Sequence, residues 1–247
     1  MRTLGIDLAA QPKNTAVCEI DWSSGRVEIE ERTLDNDDLV ARILTVDKAG
    51  IDAPLGWPDA FVAAISAHHA SKPWPVPPPG SSGDPRRALR YRLTDLYATE
   101  VGSRPLSVSS DLIAVPAMRA AELQAQLRQK GATVDRAGLF GLVCETYPAG
   151  SLRAWGFAHT GYKRTPNLDA LAQLTTNVLA QCSLDFSDAA DRCRASDDCL
   201  DALLCALTAR AVAVGATYPP SQAQLAQARR EGWIHLPSAP LTSLFER

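Results

Sequence analysis

The chain has 247 residues, 46% hydrophobic and 21% charged, with a formal net charge of −3. That composition fits one large globular domain over 1–247 able to bury a full core, and the small negative charge excludes a global attraction to nucleic acid, so any phosphate-binding surface has to be local. No apolar run approaches the roughly 20 residues of a membrane helix, and Met1-Arg2-Thr3 leads straight into a strand rather than a signal peptide, so the sequence reads as a cytoplasmic protein. The six cysteines form no C-x-x-C pair and read as buried free thiols rather than as a zinc site or a disulfide framework.

Leu4-Gly5-Ile6-Asp7-Leu8-Ala9-Ala10 is a short apolar strand with one carboxylate at its centre. After the turn residues Gln11-Pro12-Lys13-Asn14, residues 15–22 alternate as a second strand, with Ala16, Cys18 and Ile20 on one face and Val17 and Glu19 on the other. A tight hairpin at Ser23-Ser24-Gly25 leads to a third strand over 26–34, with Val27 and Ile29 inward. Asp35-Asn36 caps a helix over 37–44 whose apolar positions 39, 40, 43 and 44 keep helical spacing. A fourth strand carries the second acid, in Gly50-Ile51-Asp52-Ala53-Pro54-Leu55-Gly56. Three strands joined by short turns, a helix and then a strand predict a mixed sheet with the first strand central.

Residues 57–69 read as an amphipathic helix, and the proline-rich run 72–85 cannot be regular structure. It opens an insertion over about 71–115 that holds the densest basic run of the chain, Arg86, Arg87, Arg90 and Arg92 around Tyr91. This run is either a solvated face or a phosphate-contacting patch. A helix over 116–130 follows, then a strand with a third acid in Val143-Cys144-Glu145-Thr146-Tyr147, and a helix from Pro148 through Trp155. Gly161-Tyr162-Lys163-Arg164-Thr165 is a smaller basic and aromatic loop before a helix over 166–182. Ser196 is placed to cap a largely apolar helix to about 214, and Gly232-Trp233-Ile234-His235-Leu236-Pro237 reads as a short terminal strand or extended tail.

Four apolar segments thus each bring a carboxylate: Asp7, Asp52, Glu145, and the set Asp197, Asp198 and Asp201. Desolvating a carboxylate costs several kcal/mol unless something compensates it, so these acids require partners. Singly, each has an ordinary explanation in a loop hydrogen bond, an Asx turn or a helix N-terminus. Asp201 does not, because it lies in the second turn of its helix, beyond the reach of capping, on one face with Asp197 and Asp198. Convergent carboxylates are what a pair of Mg²⁺ or Mn²⁺ ions requires, since two cations about 3.5–4 Å apart repel until anionic oxygens surround them. None of the four histidines is set in a pattern for nucleophilic catalysis.

Gly5-Ile6-Asp7, Ile51-Asp52-Ala53-Pro54-Leu55-Gly56, Glu145-Thr146-Tyr147-Pro148-Ala149, the stretch from Asp197 to Ala202 and Gly232-Trp233-Ile234 together resemble the domain-of-unknown-function family 429, described as predicted ribonuclease H-like nucleases. The resemblance spans nearly the whole chain. It implies an α/β, ribonuclease H-like five-stranded mixed sheet flanked by helices, interrupted by the Pro/Arg-rich insertion. It further implies a metal-dependent nuclease in which Asp7, Asp52 and Asp201 are catalytic metal ligands, with Glu145 or Asp197 serving as the fourth. Arg92, Lys163 and Arg164 would then line the approach of a nucleic-acid substrate. The rival readings are a non-catalytic binding scaffold on the same fold and an actin-like kinase or ATPase relative; the second would need a repeated domain, and no repeat is present.

Overall fold

Alternating apolar residues in the first thirty positions build three strands, β1 (Arg2–Asp7), β2 (Ala16–Asp21) and β3 (Arg26–Glu31), joined antiparallel through short turns. The computed structural model describes residues 1–75, 86–109, 111–163 and 165–246. Helix α1 (Asn36–Ile43) follows a reciprocal capping box between Asp35 and Asp38, which satisfies amide groups that the first turn would otherwise leave open. It returns the chain to β4 (Lys48–Ile51), parallel to β1, and β5 (Val143–Glu145) lies parallel to β4 on its far side.

The remaining described helices are α2 (Asp59–His69), α3 (Arg87–Arg90), α4 (Leu93–Glu100), α5 (Asp111–Gln129), α6 (Pro148–Ala154), α7 (Leu168–Leu179), α8 (Ala189–Ala195), α9 (Asp197–Ala213) and α10 (Leu225–Glu231). The sheet order is β3-β2-β1-β4-β5. Three antiparallel strands followed by two parallel ones, with helices on both faces, is consistent with a ribonuclease H-like fold.

The two faces of the pleat feed two cores. Ala16, Cys18, Ile20, Val27 and Ile29 pack under α7, α8 and α9, whereas Leu4, Ile6, Val17, Ile51 and Val143 pack under α1 and α5. Strand alternation therefore decides which helices each residue meets. Five of the six cysteines are buried, Cys182 is half-buried, and all are free. Among the described residues no helix is long and apolar enough to cross a membrane.

Two features differ from the sequence reading, and a third agrees with it and gains a partner. Helix α5 begins at Asp111 and carries Pro116 inside it; proline is most at ease in a first turn, but here an earlier start is tolerated on a surface where Leu112 is largely exposed. β3 stops at Glu31, and Leu34 turns inward to complete burial, its amide donating to the Pro12 carbonyl at 3.1 Å. The terminal segment docks as a parallel bridge between Ile234 and Glu145, with the His235 amide donating to the Glu145 carbonyl at 3.1 Å, and so covers the open edge of β5.

Candidate metal centre

Asp7 ends β1, and Asp52 follows the last residue of β4, its amide donating to the Ile6 carbonyl at 2.9 Å. Two adjacent parallel strands therefore release their carboxylates at the same edge of the sheet, the usual place for ligands in such sheets. Asp201 comes from the second turn of α9, whose register is set by Ser196, the N-cap that accepts from the Cys199 amide.

What brings α9 down onto these strand ends is a pair of glycines. Gly5 and Gly50 are register partners across β1 and β4. A methyl group on Gly5 would stand 1.9 Å from the Ala202 carbonyl oxygen and 2.3 Å from the Ala206 nitrogen, and one on Gly50 would stand 2.4 Å from the Cys205 carbonyl oxygen. Backbone lies directly on backbone here, an approach that any side chain would forbid. The helix is buried along most of its length as a result, and Asp201 reaches the sheet edge at 1% exposure.

One carboxylate oxygen each from Asp7, Asp52 and Asp201 lies within 4.8 Å of the other two. The remaining interactions at Asp201 come from one loop: the Tyr162 hydroxyl donates to Oδ1 at 2.9 Å, and the Lys163 Nζ forms an ion pair with Oδ2 at 2.6 Å, close in distance though not directed as a hydrogen bond. Lys163 is also held over the Tyr162 ring.

The acids perturb one another as a cluster short of cations would. Asp7 is held well above the usual carboxylate range by burial first, then by Asp201, Asp52 and Asp198, with Lys163 opposing. Asp52 is pushed up to about 7, chiefly by burial, which Lys163 opposes and Asp201 and Glu145 reinforce. Asp201 is raised by burial in spite of Lys163 and Tyr162. Burial would lower the Lys163 ammonium, but Asp201, Asp52 and Asp7 together raise it. Anionic oxygens gathered at this spacing, mutually repelling and compensated among the described residues by the half-exposed ammonium of Lys163, have the donor chemistry of a hard divalent cation site.

The other sequence candidates are placed differently. Glu145 is buried beside the triad but committed elsewhere: Arg92 donates to its two oxygens at 2.6 and 2.7 Å, and the Leu55 amide donates to Oε2 at 2.9 Å. Arg92, expected at the approach, is itself 1% exposed and also pairs with both oxygens of Asp95 at 2.9 and 3.1 Å. Its charge is neutralised inside the fold by two carboxylates, so the structure makes it a brace tying the start of α4 to the end of β5. Burial and these carboxylates act in opposite directions on the guanidinium, and the carboxylates prevail. Asp197 lies in the first turn of α9 and is not one of the converging three. Asp198, its neighbour, is raised by burial and by Asp197, and its charge in turn raises Asp7. Arg164 lies outside the described residues.

One participant was not singled out by sequence: nothing in the loop 161–165 marked Tyr162 as the donor to Asp201, whereas Asp198 was already placed on one helix face with Asp201.

In comparison with known proteins, a family model described as "Protein of unknown function (DUF429)" matches residues 5–224. No curated protein matches the chain, and neither does any solved structure.

Proposed function

The chain belongs to the DUF429 family, and from that premise we propose that it is a Mg²⁺- or Mn²⁺-dependent nuclease hydrolysing phosphodiester bonds at Asp7, Asp52 and Asp201. The observation that carries this reading is the convergence of the three carboxylates within 4.8 Å at the ends of two parallel strands. Their oxygens fit shared cations, because ligands about 2.0–2.1 Å from one ion stand roughly 3–4 Å apart, a spacing reached by small side-chain adjustments. Bound there, a metal pair would supply a water of lowered pKa and stabilise the leaving oxygen of an in-line displacement at phosphorus.

The chain's own contribution is positioning. Asp7 and Asp52 are fixed by strand backbone and Asp201 by helix packing against Gly5 and Gly50, so the anionic oxygens are pre-organised. Tyr162 holds one oxygen of Asp201, and the other is paired with Lys163. Lys163, half-exposed at the rim, is available to a phosphoryl oxygen.

The test is a Mn²⁺ titration followed by melting temperature and by cleavage of RNA, DNA and branched substrates. Wild type should gain stability on metal binding, and Asp7→Asn, which keeps shape and removes charge, should lose both the gain and the cleavage while remaining folded. A specific observation favours the second reading, a non-catalytic scaffold: Lys163 already supplies one positive charge to Asp201. Wild type that neither melts higher with Mn²⁺ nor cleaves any substrate would establish that alternative.

A further inference from the structure

Asp7 and Asp52 of the triad line a cleft of about 260 Å³, just below the span of about 300–1,000 Å³ in which compact small ligands are held. Its floor is acidic. Its walls are apolar: Pro105, Leu106, Ile113, Pro116, Tyr147 and Ile234. Leu106 is half-exposed in this wall. Among the described residues that line the cleft the cations are Lys163 and Arg92, and Arg92 is held by Glu145 and Asp95.

A duplex is gripped through many phosphates, each neutralised by its own Lys or Arg, and its affinity comes largely from that term. Among the described residues the cleft presents one half-exposed ammonium, Lys163, itself paired with Asp201, and so no such track. It does offer apolar walls beside the Asp7 and Asp52 carboxylates. Flat rings are bound by stacking and by exclusion of water from apolar walls, without regard to backbone charge.

We propose that the cleft is specific for a phosphodiester bearing a single flat, nucleobase- or aryl-sized ester group, which lies against Leu106, Ile113, Pro116 and Tyr147 while the phosphate faces Asp7 and Asp52. This rests on the phosphodiesterase reading above and narrows its substrate to one unit, supplied either as a small diester or as the free end of a single strand, and not as continuous duplex. In the reaction water adds to phosphorus, the P–O bond to one ester group breaks, and that group leaves as an alcohol after taking a proton, giving a monoester. No oxidant or second substrate is needed.

The experiment compares thymidine p-nitrophenyl phosphate, a single-stranded oligonucleotide and its duplex as substrates with Mn²⁺, in wild type and in Leu106→Asp, with Mn²⁺-dependent melting followed in parallel. The small diester should be hydrolysed with little dependence on salt, the single strand should be shortened from an end, and the duplex should be spared. Leu106→Asp should raise KM for the small diester about tenfold or more, with kcat nearly unchanged and the Mn²⁺-induced rise in melting temperature intact. Internal cutting of the duplex with kcat/KM at or above that of the small diester would overturn the inference while leaving the phosphodiesterase reading in place, as would a KM indifferent to Leu106→Asp. Absence of both metal stabilisation and hydrolysis of all three substrates would instead remove the reading on which the inference rests.

Discussion

Lys163→Met isolates the role of the ammonium paired with the triad. Methionine keeps the length of the stem and its packing over Tyr162 but deletes the ammonium 2.6 Å from Asp201 Oδ2. Unit charges about 4 Å apart are worth roughly 4 kcal/mol at an effective dielectric of 20. The partners are unequal, however: Asp201 is buried while the Lys163 side chain is 51% exposed, so solvent screens much of that attraction. A charge-assisted contact is worth about 1.5–3 kcal/mol net, and after the discount about 1–2 kcal/mol remains. For a chain of this size each kcal/mol moves the melting temperature by about 2–4 °C, so the metal-free variant should melt roughly 2–8 °C below wild type at pH 7.5. A divalent ion no longer competes with the ammonium for Asp201, so Mn²⁺ should bind the variant more tightly, by about 5–30-fold if the same free energy is recovered. Differential scanning fluorimetry and isothermal titration calorimetry read the two effects. An unchanged melting temperature without metal, or weaker Mn²⁺ binding in the variant, would refute the idea that Lys163 is the resident counter-ion of the cluster.

Gly5→Ala places a methyl group 1.9 Å from the Ala202 carbonyl oxygen, so it should cost about 3 kcal/mol or more and weaken Mn²⁺ binding by lifting α9. Gly25→Ala, at φ +77° with nothing within 4 Å of the added methyl, should cost only about 1–2 kcal/mol and leave metal binding alone; equal effects on metal binding would argue against the helix-seating role of Gly5. Arg92→Met leaves Asp95 and Glu145 buried without their partner, a change worth about 3–5 kcal/mol, measurable by urea denaturation, and a loss under 1 kcal/mol would return Arg92 to a surface role. Asp52 is raised to about 7, so in the metal-free protein its folded form favours the proton: this contribution to stability is present at pH below the ordinary carboxylate range and is lost as pH rises through about 7. Metal must displace that proton, so the Mn²⁺-induced rise in melting temperature should be larger at pH 8 than at pH 5.5, and equal rises would contradict the assignment of Asp52 as a ligand.

Local pattern determined a good deal of this protein. Period-two alternation over 15–22 placed Ala16, Cys18 and Ile20 on one face and Val17 on the other, and the two faces do enter different cores. Asp35 and Ser196 marked helix starts because a side-chain oxygen can satisfy amides that have no partner within the helix. Asp7, Asp52 and Asp201 were visible as acids in apolar surroundings, since an unpaired buried carboxylate is too costly to occur without a purpose.

Tertiary structure decided which charges face each other. Arg92 sits in a basic run, and sequence had no means of knowing that Glu145, more than fifty positions away, would take its two donors; an ion pair between distant segments leaves no periodicity. The same holds for Tyr162 and Lys163, which a loop carries to Asp201. Helices α3, α4, α8 and α10 escaped the sequence reading because they are short, and short helices draw their stability from contacts rather than from propensity. The deepest decision of all is made by two residues without side chains: the missing Cβ atoms of Gly5 and Gly50 let α9 rest on the sheet and set the distance between Asp201 and the strand-end carboxylates.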